Sequence, residues 1–129
     1  MSIVIDTSVW IEYFKGNKKY VDLIQNLLEK NEILTIELIF AELLQGARTE
    51  KEVEMLKSYF ELIPNAEIVN LYILAGEFSQ REKLISKGIG LIDACIISAT
   101  IFSDSQLWTL DKKIQKFLDN QYLFKNHNT

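Results

Sequence analysis

Short β-branched runs along this chain alternate with longer stretches in which apolar residues recur every three or four positions. The runs Ile3-Val4-Ile5, Ile33-Leu34-Thr35-Ile36, Ile68-Val69 (within Glu67 to Asn70) and Leu107-Trp108-Thr109-Leu110 predict strands, and Tyr122 to Phe124 predicts an edge strand. Continuous apolar runs of this length suit strands covered on both faces, as in parallel sheets. Helical spacing predicts helices over Val9 to Phe14, Tyr20 to Lys30, Glu37 to Ala47, about Leu71 to Ser86, Leu91 to Phe102 and Lys112 to Phe117. One more runs from a Thr49–Glu52 capping box to the stop at Pro64. Thr7 and Ser8 are expected to cap the first helix, and Gly16 to close it in the left-handed conformation. In the long helix Leu71, Leu74, Ala75, Phe78 and Ile85 are expected inward, with Glu77, Gln80, Arg81 and Lys83 outward. Strands alternating with helices imply parallel βαβ units and an α/β fold whose strand ends line one edge.

Composition narrows this picture. At 129 residues and 48% hydrophobic, with one proline and neither linker nor repeat, residues 1–129 are expected to form one domain with a substantial core. The apolar runs are too short to span a membrane, and no basic segment followed by an apolar region marks a signal peptide. A lone Cys95 and a lone His127 offer neither an internal disulfide nor a zinc site nor Cys/His catalysis, which together point to the cytoplasm. Cys95 reads as core packing, and the polar tail Lys125 to Thr129 as mobile. A net charge of −4 argues against gripping nucleic acid by bulk positive charge, an objection that weakens if acids cluster around a bound cation.

Four acids stand out against that background. Asp6 and Asp111 each end a strand, Asp93 starts an apolar helix behind Gly88 and Gly90, and Glu42 interrupts an otherwise apolar helix. Each has a plain structural reading: helix caps for Asp93 and Asp111, a solvent-facing position for Glu42. Together at one sheet edge they would repel and take up protons unless a cation compensated them. Oxygen ligands without His or Cys select Mg²⁺ or Mn²⁺. Such a centre activates water for in-line attack on a phosphodiester and needs no histidine base. Lys15, Lys18 and Lys19 read either as a solvated turn or as a contact to a phosphate backbone; where Asp111 is only a helix cap, Lys112, Lys113 and Lys116 read as plain surface. Trp10, Tyr13, Phe14 and Tyr20 read as core or as an apolar docking face.

The segments Ile5-Asp6-Thr7-Ser8-Val9-Trp10-Ile11, Ala41-Glu42-Leu43-Leu44-Gln45-Gly46-Ala47-Arg48, Asp93-Ala94-Cys95-Ile96-Ile97 and Leu107-Trp108-Thr109-Leu110-Asp111 occur in an order that resembles PIN-domain ribonucleases, most of all the VapC toxins of toxin–antitoxin pairs. The resemblance implies a three-layer α/β/α sandwich with a central mainly parallel sheet. It implies a pocket of Asp6, Glu42, Asp93 and Asp111 holding Mg²⁺ (or Mn²⁺), with Asp6 and Asp93 as direct ligands and Thr7, Ser8 and Thr109 as flanking hydroxyls. It further implies endoribonuclease activity on tRNA or rRNA, a homodimer, and a small antitoxin as partner. Two other readings stand beside it. One is a phosphatase-like hydrolase with Asp6 as nucleophile, although Ser8 stands where a second acid is usual. The other is an inactive relative acting as a binding module.

Overall fold

The computed structural model describes residues 1–125; the tail from residue 126 onward, His127 included, lies outside the described residues. Strands β1 (Ile3–Ile5), β2 (Ile33–Leu34) and β3 (Gln106–Trp108) form a parallel sheet in the order β2-β1-β3. Ile3 stands opposite Ile33 on one side and Gln106 on the other, and Ile5 stands opposite Trp108. All three residues of β1 are buried, although successive side chains of a strand point to opposite faces. Both faces of the central strand are therefore covered, and the fold is the expected three-layer α/β/α arrangement around a parallel sheet.

The covering helices are α1 (Thr7–Phe14), α2 (Lys18–Glu29), α3 (Glu37–Gln45), α4 (Glu50–Leu62), α5 (Leu71–Glu82), α6 (Leu91–Phe102) and α7 (Lys112–Phe117). Helix α6 is apolar on nearly every side and buried without a break from Ala94 to Thr100; it packs along α5 and touches β3 and α3. Helix α1 leans on α2 and α3, and α3 on α4. Trp10 is fully buried at that junction, stacked on Phe14 with centroids 5.7 Å apart and edge-on to Tyr13, Phe40 and Tyr59. The Tyr13 and Tyr59 hydroxyls share a 2.6 Å hydrogen bond, and Tyr20 stacks on Trp108. Trp10 and Tyr13 are thus core, and Phe14 and Tyr20 are partly buried against it. Cys95 is buried too, its thiol pKa pushed up by desolvation.

Three expectations are corrected. No strand forms at Ile68-Val69: the chain pairs earlier, where Thr35 N donates to Pro64 O at 3.0 Å and Ala66 N donates to Thr35 O at 2.8 Å. Pro64 has only a carbonyl to offer and is used for that alone. Val69 is left 82% exposed, and Asn70 turns left-handed to begin α5. The expected strand over Tyr122 to Phe124 shrinks to a single bridge between Leu107 and Leu123, because residues Asn120–Tyr122 coil into a 3₁₀ turn. Helix α5 stops at Glu82, where Lys83 adopts a φ of 57° and a 3₁₀ turn follows over Ile85–Lys87. That reversal shifts the helical phase, so Leu84 enters the core and Ile85 is 85% exposed.

Candidate active site

In a parallel sheet ordered β2-β1-β3, the chain leaves β1 toward one side and later returns to the other. The crevice outside the carboxyl ends of β1 and β3 is then the topological switch point, where open α/β sheets take their ligands. Asp6 follows β1 there. Its backbone N donates to Trp108 O at 2.9 Å and continues the ladder. Its side chain caps α1, with Oδ1 accepting from Thr7 N at 2.8 Å. Asp6, and not the expected Thr7 or Ser8, is therefore the cap: the helix begins at Thr7, two residues before the expected Val9, which frees both hydroxyls for contacts distant in sequence.

Those contacts wire the two strand ends together. Thr109 Oγ1 donates to Asp6 Oδ2 at 2.7 Å and accepts from Asp111 N at 3.0 Å. Ser8 Oγ donates to the same Asp6 oxygen at 3.1 Å and accepts from Leu110 N at 3.1 Å. Gln115 Nε2 donates to Thr109 O at 2.8 Å and anchors the turn from β3 into α7. Asp6 and Thr109 are both buried, and burying the carboxylate is tolerable because each of its oxygens accepts a hydrogen bond.

The other acids approach from three helices. Glu42 is half-buried on α3, and its Oε1 accepts from Thr7 Oγ1 at 2.8 Å, while Ala41 beside it is exposed. Asp111 caps α7, with Oδ1 accepting from Lys113 N at 2.8 Å and Ile114 N at 3.2 Å. Asp93 occupies the first turn of α6. Its pKa is pushed up to about 6 by burial first, then by the negative charges of Asp6, Asp111 and Glu42; Lys113 pulls it the other way. Since Coulomb effects fade with distance, one electrostatic field joins all four acids. Among the described residues, however, no three His, Cys, Asp or Glu side chains are set to hold a metal ion as they stand. The convergence is one of charge, and an oxygen-only donor set that repels itself fits a hard divalent cation.

Lys113 is the residue that sequence reasoning missed. It is exposed, as a surface reading expects, but its role was not seen: Cδ, Cε and Nζ lie 3.2–3.3 Å from where a Cβ on Gly88 would stand, and among the described residues it is the cation that lowers the Asp93 pKa. Gly88 has a φ of 77°, so both its backbone and the lysine stem above it call for glycine. A contact between the α7 start and the loop before α6 leaves no local sequence signal. Lys15 pairs with Glu12 at 3.4 Å, and Lys19 lies over the Tyr20 ring; neither acts on Asp93. Beside Thr7 and Glu42 a groove of about 340 Å³ opens between α1, α3 and α4. A larger hollow of about 960 Å³ between the start of α3 and residues 65–73 holds none of the four acids.

The model of the family described as PIN domain matches residues 3–118. A solved structure of VapBC2 from Rickettsia felis bound to a DNA fragment from their promoter superposes with a TM-score of 0.69 at 23% identity, covering 98% of each chain. The structure of VapBC-1 from nontypeable Haemophilus influenzae gives 0.67 at 18% identity, over 90% of this chain and 92% of that one. FitAcB from Neisseria gonorrhoeae gives 0.59 at 20% identity, over 86% and 88%. These likenesses show a shared fold. No curated protein matches the chain.

Proposed function

The chain belongs to the PIN-domain family, and on that premise we propose that residues 1–129 act as one metal-dependent endoribonuclease domain that hydrolyses RNA phosphodiester bonds. The observation that carries the reading is geometric: Thr109, behind β3, donates to Asp6 Oδ2 behind β1, Thr7 Oγ1 donates to Glu42, and Asp93 lies where burial and the charges of Asp6, Asp111 and Glu42 raise its pKa. A fold gains nothing from gathering four such groups unless a cation joins them.

Asp6 and Asp93 would hold Mg²⁺ or Mn²⁺ directly, with Glu42 and Asp111 completing the acidic set. When bound, the ion supplies an activated water and offsets the charge that grows on the phosphate. The chain's own part is positioning. Thr109 and Ser8 fix Asp6 Oδ2, and Thr7 N holds Oδ1. Thr7 Oγ1 keeps Glu42 turned toward the same place, and the cap on α7 occupies only Oδ1 of Asp111. With both Asp6 oxygens accepting hydrogen bonds, that carboxylate is better suited to anchoring an ion than to attacking phosphorus as a free nucleophile.

The structural neighbours named VapBC2, VapBC-1 and FitAcB support a finer reading. In it this chain is the toxin of a toxin–antitoxin pair, neutralised by a small antitoxin protein, paired as a homodimer and acting on tRNA or rRNA in the cytoplasm. Among the described residues no helix is long and apolar enough to cross a membrane. The test is incubation of the purified protein with total cellular RNA, with and without Mg²⁺, and mapping of new 5′ ends. Discrete Mg²⁺-dependent cuts are expected, and Asp6→Asn or Asp93→Asn should remove them while circular dichroism stays native. Cleavage that survives both replacements would overturn the assignment.

A further inference from the structure

The cations of the chain are unevenly spread. Six of its 14 lysines and arginines fall within residues 81–87 and 112–116, where Glu82 is the only acid, although the whole chain carries a net charge of −4. The fold brings the two segments together, and all six cations are exposed. The stem of Lys113 lies over Gly88, next to Lys87. Lys87 Nζ stands 5.5 Å from the centre of the Phe117 ring, Phe117 packs edge-on against Phe78 with centroids 6.0 Å apart, and Arg81 covers Phe78 at 5.6 Å. The near edge of this basic face is the acidic crevice itself, because Lys113 N donates to Asp111 Oδ1 at 2.8 Å and the lysine charge reaches Asp93.

Helix stability does not account for all of these cations. Arg81 and Lys87 do suit the carboxyl end of α5, where Lys87 Nζ donates to Glu82 O. Lys112 and Lys113, by contrast, open α7 at the end where a helix disfavours positive charge, and Lys112 and Lys116 are like charges one turn apart. Among the described residues, the only ion pair that any of the six makes is Arg81 with Glu82, at 3.8 Å. Like charges gathered with so little counter-charge attract an anion that neutralises them.

We propose that this face is the track on which the RNA strand lies as it enters the acidic crevice, its phosphates held first by the lysines of α7 and then by Lys87 and Arg81. The proposal rests on the nuclease reading above and names the surface that holds the substrate of that site. RNA suits the face better than an acidic peptide or an anionic bilayer, because either of those would meet only repulsion from the carboxylates at its edge. A polyphosphate strand crossing the same edge shares the divalent ion that those carboxylates attract. Phosphate contacts of this kind position a strand without reading its sequence. Each releases counterions, so the affinity they supply falls with salt.

The test is binding of a short labelled single-stranded RNA to the full chain by fluorescence anisotropy, in EDTA so that nothing is cut, between about 50 and 200 mM KCl. Wild type should bind at the low end and lose affinity as salt rises. Each phosphate contact on a single strand contributes about 0.7 to the slope of log K against log salt. Lys113→Gln should therefore flatten the slope by about 0.7, and the double variant Lys112→Gln/Lys116→Gln by about 1.4, while Lys113→Arg keeps it. Lys51→Gln/Lys57→Gln, which removes two exposed cations of α4, should leave the slope as it is. In Mg²⁺, Lys112→Gln/Lys116→Gln should raise KM for RNA cleavage several-fold. No binding by wild type at low salt, or a slope that the α7 variants share with wild type, overturns the track even if the protein cleaves RNA. A slope flattened equally by Lys51→Gln/Lys57→Gln shows diffuse attraction and overturns it as well. Slopes flattened only in the α7 variants, in a protein that cuts no RNA in Mg²⁺, sustain the track and remove the nuclease reading. Poly-glutamate or phosphatidylserine vesicles that displace the RNA at equal charge concentration assign the face to an acidic protein or a membrane and overturn the proposal.

Discussion

The two sides of the acidic crevice are built on opposite terms. On one side β1 and β3 end in a closed circuit: Asp6 accepts from Thr7 N, Ser8 and Thr109, and those hydroxyls in turn receive Leu110 N and Asp111 N. On the other side, at the first turn of α6, Asp93 meets burial and three like charges, and among the described residues Lys113 alone relieves it. The same residue type is thus locked in one place and poised in the other. A site that binds a cation reversibly needs both, a rigid frame to define its position and a responsive group whose charge state changes when the ion arrives.

Breaking the locked side should have the largest effect. Asp6→Ala strands the Thr109 and Ser8 hydroxyls and leaves Thr7 N without its cap, so unfolding in urea should show a loss of about 3 kcal/mol. Cleavage should vanish with it. Thr109→Val keeps the shape and removes the strongest tether on Asp6; about 1–2 kcal/mol of stability should go, with a fall of roughly 10–100-fold in kcat/KM. Equal stability of wild type and Asp6→Ala would mean that the circuit holds nothing together.

The poised side should behave in the reverse sense. Asp93 has a folded pKa of about 6, above the ordinary carboxyl value of 3.8. Between those values the folded state binds more protons than the unfolded one, so stability is full below about pH 4 and is lost as pH rises through about 6. Screening by solvent limits the loss to about 1 kcal/mol for a half-exposed group. Asp93→Asn should therefore raise the melting temperature slightly at pH 8, leave it unchanged near pH 4, and abolish cleavage. Millimolar Mg²⁺ should stabilise the wild type more at pH 8 than at pH 5, and Asp93→Asn should lose that difference. A pH-stability profile shared by wild type and Asp93→Asn would remove the contrast altogether.

The same contrast explains what could be read from the chain. Ile3-Val4-Ile5 followed by Asp6 is a local pattern, and so is the run of apolar residues after Asp93; both announced the elements that the structure contains. The switch-point placement followed from alternating elements, which fix topology without fixing distances. Local pattern failed where the backbone reverses or where partners are remote. The left-handed Lys83 exchanged Leu84 for Ile85 in the core, and the Pro64 carbonyl took the pairing expected of Ile68-Val69. The capping role of Thr7 and Ser8 was read from helix chemistry alone, whereas Glu42 and the β3 end claim those hydroxyls. Lys113 escaped for the same reason: its setting is made by Gly88, which no helix or strand period connects to it.

The smallest effect, and the most discriminating, belongs to that lysine. Lys113 is the last-ranked influence on Asp93 and, among the described residues, the one that lowers its pKa. Lys113→Gln should therefore move the Asp93 titration upward, by less than the three neighbouring acids together have already raised it, as read from the carboxyl carbon shift in an NMR titration. The stability lost on raising pH should then fall at a higher pH than in wild type, because the folded-state pKa sets the upper end of the window. Gly88→Ala displaces the same side chain from the other direction: its Cβ would stand 3.2 Å from Lys113 Nζ, on a backbone with φ of 77°. Strain should cost about 1 kcal/mol, and the Asp93 titration should shift upward as in Lys113→Gln. An Asp93 titration unchanged in both variants would show that the lysine stem merely covers the glycine, and that the crevice has no cation of its own.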